Sequence, residues 1–220
     1  MHKVDCTLYM VTDRTLMRTQ DLEECVGQAL AGGVTLVQLR EKNLDTNQFI
    51  ALGKRIKGIC DLYDIPLVIN DRIDVALEVD AYGVHLGQHD LSTAVARAML
   101  GPDRLLGVSV TSVAQAVKAQ TDGADYLGIG AMFRTHTKKD ASLVTLPTLG
   151  AIRNAVTLPI VTIGGIDKHT IPLCAPYAIQ GFAMVSALID QPDVFLAAKK
   201  LKRCAIEHSL PIPTDIQWNP

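Results

Sequence analysis

Three short segments of the chain each place charged or amide side chains directly after an apolar run. If the apolar runs are neighbouring strands of a parallel sheet, their polar ends meet at one rim. Two cations, Arg40 and Lys42, would then lie beside two carboxylates, Asp71 and Asp90. This arrangement suits a magnesium-bound polyphosphate. The segments are Val-Gln-Leu-Arg-Glu-Lys at 37–42, Val-Ile-Asn-Asp-Arg at 68–72 and Val-His-Leu-Gly-Gln-His-Asp at 84–90.

The first segment concentrates its polar side chains on one face. Gln38, Arg40 and Lys42 share that face because side chains alternate along a strand. If the face points inward, the three polar groups converge on the mouth of the fold. An ordinary surface pair between Arg40 and Glu41 is the alternative interpretation. The opposite face carries Val37, Leu39 and Glu41.

The two carboxylates follow consecutive predicted strands. Adjacent strands lie about 4.8 Å apart, so Asp71 and Asp90 can share one hard cation, with phosphate oxygens and water completing its shell. We therefore expect Mg²⁺. Helix capping is the alternative role for Asp71, because a helical pattern starts directly after it. Ser92 is expected to cap the next helix, which would leave Asp90 available for the metal.

The later predicted strands end in further candidates. Ser109 places a hydroxyl after the fifth strand, and a polar loop at 132–140 follows the sixth. The loop suits a lid over anions, although a solvated basic loop is the plainer alternative. A Gly164–Gly165 pair follows the seventh strand, where glycine lets backbone N–H groups approach a phosphate. We expect a second, separate anion site there.

Eight apolar runs alternate with stretches of helical spacing, which predicts eight parallel β-α units. We therefore predict an α/β fold, a single-domain (β/α)8 TIM barrel over residues 1–208. An irregular, proline-rich tail at 209–220 would follow, with Trp218 as an anchor or as part of a frayed end. A flavodoxin-like open sheet would leave two runs unexplained. The runs lie near 7–12, 34–39, 66–69, 82–86, 104–108, 125–130, 159–163 and 179–185.

Composition limits the function classes. The 220 residues are 48% hydrophobic with a net charge of −2 and no basic run, so no nucleic-acid partner is expected. Five widely spaced cysteines without a Cys-x-x-Cys pair predict reduced thiols and neither disulfides nor a zinc site. No membrane-spanning or leader segment is evident, so we expect a cytoplasmic protein without a membrane partner. The oligomeric state stays open, a homo-oligomer included.

Over residues 8–188 the chain resembles the thiamine-phosphate synthases, also called thiamine-phosphate pyrophosphorylases. The order of the shared segments makes the resemblance specific. Two segments depart from the usual family pattern: Ala131 stands where a proline is usual, and Val110-Thr111 replaces a common Thr-His. The segments are Gln-Leu-Arg-Glu-Lys at 38–42, Ile-Asn-Asp-Arg at 69–72, Gly-Val-His-Leu-Gly-Gln-His-Asp-Leu at 83–91, Gly-Val-Ser at 107–109, Tyr-Leu-Gly-Ile-Gly at 126–130, Ile-Gly-Gly-Ile at 163–166 and Val-Ser-Ala at 185–187.

The resemblance implies two substrate sites and a magnesium site. The diphosphate substrate would be bound by Gln38, Arg40, Lys42, Asn70, Ser109 and Lys138, of which Arg40, Lys42, Ser109 and Lys138 are the implied catalytic residues. The thiazole phosphate would be bound by Thr135, Thr137, Gly165, Val185 and Ser186. Leu39, Glu41 and His136 are further expected substrate-binding residues. Mg²⁺ would be held by Asp71 and Asp90.

The resemblance also implies the reaction. A transferase of this family joins 4-amino-2-methyl-5-(diphosphooxymethyl)pyrimidine to 4-methyl-5-(2-phosphoethyl)thiazole, or its carboxylated form, and gives thiamine monophosphate and pyrophosphate. Pyrophosphate leaves first with the help of Mg²⁺, and the ring nitrogen of the thiazole then attacks without losing a proton. Positioning and electrostatics would supply most of the catalysis, so no nucleophile-base pair is required.

Two other functions remain as alternatives. A related barrel, the thiazole tautomerase, isomerises a thiazole phosphate without a diphosphate or a metal. A non-catalytic phosphate-binding barrel would bind ligand without turnover. The acidic pair argues against both. His85 and His89 are not expected to be metal ligands, because His85 lies within an apolar strand and is expected to be packed and hydrogen-bonded.

Overall fold

Eight parallel strands close into a barrel in a computed structural model that describes residues 4–135, 137 and 142–210. Each strand pairs with its neighbours in chain order, and the eighth pairs with the first. The predicted (β/α)8 barrel is confirmed, and the open-sheet alternative is wrong. The strands are β1 Leu8–Val11, β2 Leu36–Leu39, β3 Leu67–Asn70, β4 Gly83–Leu86, β5 Leu105–Val110, β6 Tyr126–Ile129, β7 Ile160–Thr162 and β8 Gly181–Met184.

Helices cover the outside of the barrel and bury one face each. The amphipathic pattern predicted for the first helix is confirmed, because its apolar residues, Leu22, Cys25, Val26 and Ala29, are buried. The second helix begins at a capping box between Asp45 and Gln48. The helices are α1 Leu22–Ala31, α2 Thr46–Leu62, α3 Ile73–Val79, α4 Thr93–Leu100, α5 Val113–Thr121, α6 Leu146–Ala155, α7 Ile171–Cys174, α8 Ser186–Ile189 and α9 Val194–His208, with a 3₁₀ turn at Ala175–Tyr177.

The barrel interior is narrow and holds two large aromatic side chains. Tyr9 and Tyr126 are fully buried, and their rings meet edge to face with centroids 6.1 Å apart. Small residues on neighbouring strands provide the space that these rings need. A Cβ atom on Gly107, the register partner of Tyr126, would overlap the Tyr126 ring. Tyrosine at one interior position therefore requires glycine at the next.

We expect Gly107→Ala to lower the free energy of unfolding by about 3 kcal/mol, because the added methyl group has no room beside a rigid ring. Urea unfolding of the full chain measures the change. Gly27→Ala is the control: Gly27 lies in α1, and a Cβ there meets no heavy atom within 4 Å. The control is expected to gain about 0.5–1 kcal/mol. Equal effects of the two substitutions would contradict the packing argument.

The remaining expectations concern the chain end, the thiols and the membrane. Helix α9 ends at His208, and the Leu210 amide donates to the Ile179 carbonyl. Residues 211–220, Trp218 included, lie outside the described residues, so the domain boundary and the anchor stay predictions. All five cysteines are free in the structure. Within the described part of the chain, no helix is both long and apolar enough to cross a membrane.

Candidate active site

The carboxyl end of β2 directs its alternate residues as the two-residue period predicts. Gln38 faces the barrel interior and is only 4% exposed, and its Nε2 atom donates to the Tyr9 hydroxyl at 2.6 Å. Leu39, the next residue, packs into the outer core between strands and helices. The same alternation places Arg40 and Lys42 beyond Gln38, at the mouth of the barrel.

The cations at the mouth are paired with carboxylates of neighbouring loops. Arg40 Nη1 lies 3.1 Å from Asp13 Oδ2, and Lys42 Nζ lies 2.5 Å from Asp71 Oδ2. The alternative in which Arg40 pairs with Glu41 is wrong. Glu41 instead accepts two hydrogen bonds from Arg14, at 2.7 and 2.9 Å. Sequence spacing shows which face a residue occupies, but it does not identify a partner on the preceding strand.

Asp71 has an unusual backbone conformation and does not cap a helix. Its φ angle is +64°, in the left-handed region that few residues other than glycine adopt. Its Oδ1 atom accepts from Asn70 Nδ2 at 2.7 Å, and its Oδ2 atom accepts from Lys42. The cap position of α3 is Arg72, which makes no side-chain cap bond. The capping alternative for Asp71 is therefore wrong.

Asp90 lies beside Asp71, and this proximity affects the pKa of the Asp90 carboxyl. Burial raises the pKa of the Asp90 carboxyl and the neighbouring Asp71 carboxylate raises it further, against the hydrogen bond from the Gly87 amide. That bond joins Gly87 N and Asp90 Oδ2 at 2.7 Å. Ser92 occupies the cap position of α4 as predicted, but its hydroxyl makes no cap bond, so that part of the prediction is wrong.

The two carboxylates form the part of the mouth that fits a metal. Two negative oxygen donors held side by side at the ends of β3 and β4 suit a hard divalent cation such as Mg²⁺. Within residues 4–135, 137 and 142–210, no group of three or more His, Cys, Asp or Glu side chains could hold a metal. A cation on Asp71 and Asp90 would therefore take its remaining ligands from substrate oxygens and water.

Ser109 is held by two contacts near the end of β5. Its Oγ atom lies 2.8 Å from Nε2 of His85, and its carbonyl accepts from Gln88 Nε2 at 2.7 Å. His85 is buried and bonds the Tyr126 hydroxyl through Nδ1 at 2.8 Å, so the expectation of a packed, hydrogen-bonded histidine is confirmed. Burial lowers the pKa of His85 to about 4, so the ring is neutral at physiological pH.

In the second half of the mouth, the loops after β6 and β7 lie against each other. Gly165 has a φ of +65°, and a Cβ atom there would lie 2.7 Å from both Phe133 Cβ and the Arg134 carbonyl oxygen. Glycine is required at this point so that the two loops can touch. Of the predicted thiazole-phosphate residues, Thr135, Thr137, Gly165, Val185 and Ser186 are described, with the Thr137 amide 3.2 Å from Thr135 Oγ1.

Two of the predicted substrate residues lie outside the described part of the chain. They are His136 and Lys138, both in the loop after β6. An open groove of about 550 Å³ is lined by the acidic pair. Its lining includes Asp74, His89 and Met99 as well as the two carboxylates.

The loop after β1 contributes residues that sequence reasoning missed. The Thr12 hydroxyl oxygen accepts from the Arg40 amide at 2.9 Å, and Asp13 holds the guanidinium of the same residue. Both residues directly follow β1, although the first predicted apolar run includes Thr12. The rule that identified the other strand ends therefore predicts them when it is applied to this strand.

Known proteins resemble this chain in sequence and structure. A family model described as thiamine monophosphate synthase matches residues 8–188. The thiamine-phosphate synthase of Ruminiclostridium cellulolyticum is 51% identical over 199 residues, 90% of this chain and 95% of that protein. The enzyme of Clostridium beijerinckii is 50% identical over 200 residues, 91% of this chain and 96% of that protein.

A solved structure extends the similarity to the fold. The thiamine phosphate pyrophosphorylase of Pyrococcus furiosus superposes with a TM-score of 0.85 at 37% identity, covering 93% of this chain and 97% of that chain. The family model covers most of the chain, and the relatives match it over nearly their whole length. The chain therefore belongs to the thiamine monophosphate synthase family.

Proposed function

We propose that the barrel mouth binds two phosphorylated substrates in adjoining halves, one built on β2 to β5 and the other on the loops after β6 to β8. The observation that carries this proposal is the Asp71–Asp90 pair beside Lys42 at the ends of neighbouring strands. A tautomerase that handles no diphosphate has no need of two adjacent carboxylates. A diphosphate that arrives with a divalent cation does.

Family membership fixes the reaction. The protein is a transferase that condenses the aminopyrimidine diphosphate with the thiazole phosphate and gives thiamine monophosphate and pyrophosphate. The bond from carbon to the diphosphate oxygen breaks, its electron pair leaves with pyrophosphate, and the thiazole nitrogen forms the new bond to that carbon. The barrel must therefore neutralise the leaving group and hold the two rings in line.

In the diphosphate half, Arg40, Lys42, Ser109 and Lys138 are the proposed catalytic residues. Arg40 and Lys42 are held by carboxylates 27 and 29 residues away in sequence, and these contacts place both cations before substrate arrives. Lys138 would add charge from the loop after β6. The residues proposed to orient the substrate in this half are Gln38, Glu41 and Asn70. Leu39 would contribute only through its backbone, because its side chain is buried in the outer core.

A magnesium ion on Asp71 and Asp90 would add positive charge where the leaving pyrophosphate becomes more negative. The two carboxylates are the groups of this chain that would hold it, and hydrogen bonds from Asn70 and Lys42 position the Asp71 carboxylate. The left-handed backbone at Asp71 supports the assignment, because strained conformations concentrate at functional sites.

In the thiazole half, backbone groups and hydroxyls would bind the phosphate. Gly165 allows the loop after β6 to approach the loop after β7, and Thr135 and Thr137 lie in the first of these loops. Hydroxyl and amide donors suit a phosphate that stays intact during the reaction. The residues proposed for this half are Thr135, His136, Thr137, Gly165, Val185 and Ser186.

We expect the affinity for Mg²⁺ with pyrophosphate to fall as the pH is lowered from neutrality toward about 4, where an ordinary aspartate titrates. The raised pKa of Asp90 means that this carboxyl takes up a proton at a higher pH than an ordinary aspartate, and the proton competes with the metal. Calorimetric titration across this range measures the effect. Asp90→Asn removes the titrating group, so its pH dependence should be weaker. An identical pH dependence in both proteins would contradict the assignment.

Binding of pyrophosphate with Mg²⁺ and with a chelator tests the proposed metal site. The wild-type enzyme is expected to bind pyrophosphate at least about tenfold more tightly with Mg²⁺. Asp74→Asn is the control, because Asp74 is a nearby carboxylate that pairs with Arg72. The control should keep the metal effect and Asp90→Asn should lose it. Equal affinity with metal and with chelator in the wild type would refute the site.

The remaining finer expectations concern location and assembly. Five unpaired cysteines, four of them buried, suit a reducing compartment, and we propose that the enzyme acts in the cytoplasm. Its substrates would be small molecules, with no nucleic acid or membrane as a partner. A homo-oligomer stays a prediction.

A further inference from the structure

An unbroken chain of hydrogen bonds crosses the barrel interior and joins two residues of the proposed diphosphate half. It runs from Gln38 through Tyr9, Tyr126 and His85 to Ser109. The successive distances are 2.6 Å, 2.9 Å, 2.8 Å and 2.8 Å. Gln38 lies on β2 and Ser109 on β5, so the chain spans the barrel rather than following one strand. Tyr9, Tyr126 and His85 are not among the residues proposed to bind substrate or metal.

Counting hydrogens gives the chain a direction. The Gln38 amide nitrogen donates to Tyr9, and Tyr126 is the acceptor that remains in this network for the buried hydroxyl hydrogen of Tyr9. The hydrogen of Tyr126 then goes to Nδ1 of His85, which must be the unprotonated nitrogen. The proton of the neutral ring therefore sits on Nε2 and is donated to the Ser109 oxygen. The hydrogen of Ser109 is not used within the chain.

The opposite direction is the only other arrangement of the same five groups in which both tyrosine hydrogens are used within the network. The Gln38 amide would be turned so that its oxygen accepts from Tyr9, and every later hydrogen would reverse. His85 would carry its proton on Nδ1, and Ser109 would donate to Nε2. Ser109 would then offer only lone pairs to a ligand. A diphosphate is an acceptor, so it is bound by the first arrangement and repelled by the second.

Tight packing holds the hydrogen-bonded side chains in place. His85 is 7% exposed, and its ring lies over Gly128, where a Cβ atom would be 2.9 Å from Cε1. Tyr9 and Tyr126 pack edge to face in the interior cluster. Burial keeps His85 neutral, which is the state that has one donor and one acceptor nitrogen. These contacts fix the positions of the side chains, so only the donor and acceptor role of each group can differ between the two arrangements.

We propose that Tyr9, Tyr126 and His85 are positioning residues that fix the protonated nitrogen of His85 as Nε2 and so keep Ser109 a hydrogen-bond donor to the diphosphate. The orientation of the Gln38 amide sets the direction of the hydrogen bonds. Whether Gln38 presents its amide nitrogen or its oxygen to Tyr9 therefore determines whether Ser109 can donate to a ligand on the other side of the barrel. The inference rests on the proposed function, in which Ser109 contacts the diphosphate.

Two substitutions of His85 separate its donor from its acceptor. The amide nitrogen of glutamine can replace Nε2, whereas asparagine reaches only the position of Nδ1. We expect His85→Asn to lower kcat/KM for the diphosphate substrate by about 10- to 30-fold and His85→Gln by less than about threefold. The KM for the thiazole phosphate should change by less than about twofold in both. Equal losses in the two variants would overturn the proposal.

The same pair is then compared in a Ser109→Ala background. Without the hydroxyl, His85 has no donor group to orient toward the diphosphate. The kcat/KM values of His85→Asn and His85→Gln for the diphosphate substrate should therefore differ by less than about twofold. A difference as large as in the wild-type background would show that His85 acts by another route and would overturn the proposal.

Nitrogen NMR of the full-length, ligand-free enzyme reads the state of His85 directly. His85→Gln identifies the signal by removing it. We expect one neutral form with the proton on Nε2, and a mixture of the two neutral forms in Tyr126→Phe, which lacks the donor to Nδ1. Tyr63→Phe, at the end of α2, is the control and should leave the signal unchanged. Protonation at Nδ1 in the wild type, or no change in Tyr126→Phe, would overturn the proposal. This measurement needs no substrate, so its outcome does not depend on the proposed function.

Discussion

Asp71→Asn and Asp90→Asn are each expected to lower turnover by at least about a hundredfold. Each substitution keeps the shape of the side chain and removes one of the two negative charges that would hold the metal. An amide at position 90 can still accept from the Gly87 amide, so the local fold should survive. The loss would therefore appear in turnover and in the Mg²⁺ requirement rather than in stability. Steady-state rates at saturating substrate, measured over a range of Mg²⁺ concentrations, give the comparison.

Asp74→Asn is the matched control for both variants. Asp74 lies in the first turn of α3 and pairs with Arg72. Its substitution by asparagine therefore removes a negative charge close to the site and leaves Asp71 and Asp90 unchanged. Its turnover should stay within about twofold of the wild type. Near-normal rates in both Asp71→Asn and Asp90→Asn would contradict the metal assignment.

Gly165→Val is expected to raise the KM for the thiazole phosphate by about thirtyfold, and the KM for the diphosphate substrate by much less. A β-branched residue does not tolerate the φ of +65° at this position. Its Cβ atom would also lie 2.7 Å from Phe133 Cβ and from the Arg134 carbonyl, so the loop after β6 must move away. That movement takes Thr135 and Thr137, which lie in this loop, away from the loop after β7. Initial rates with each substrate varied in turn measure both constants.

Gly101→Val separates backbone strain from the clash. Gly101 follows α4 with a φ of +73°, but a Cβ atom there meets no heavy atom within 4 Å. The control is expected to lose about 1–3 kcal/mol of stability while both KM values stay within about twofold. If Gly165→Val raises the two KM values equally, the division of the mouth into two halves is wrong.

The parts of the site that depend on a single strand could be predicted from the sequence. Alternation along β2 correctly directs Gln38 into the barrel, because the pattern is a property of the extended chain itself. The order of the apolar runs likewise predicts the closed barrel and brings Asp71 and Asp90 to neighbouring strand ends. These inferences need only the period of a strand and the rule that parallel strands end together.

The parts that depend on contacts between distant segments could not. Arg40 pairs with Asp13 rather than with Glu41, and the choice is made by how β1 and β2 lie together. The Tyr9–Tyr126 contact joins residues 117 apart in sequence, and it exists only because the barrel closes. Helix caps could not be predicted either, because a tertiary contact can replace the cap bond. Asp71 accepts from Lys42 and does not cap α3.

The most direct test of the account is the release of pyrophosphate by the full-length enzyme. We predict release when the aminopyrimidine diphosphate, the thiazole phosphate and Mg²⁺ are all present, with loss of the signal on adding chelator and recovery on restoring Mg²⁺. Thiamine monophosphate should appear in equal amount. Undiminished release in excess chelator would contradict the proposed metal site, and conversion of the thiazole phosphate alone would contradict the condensation itself.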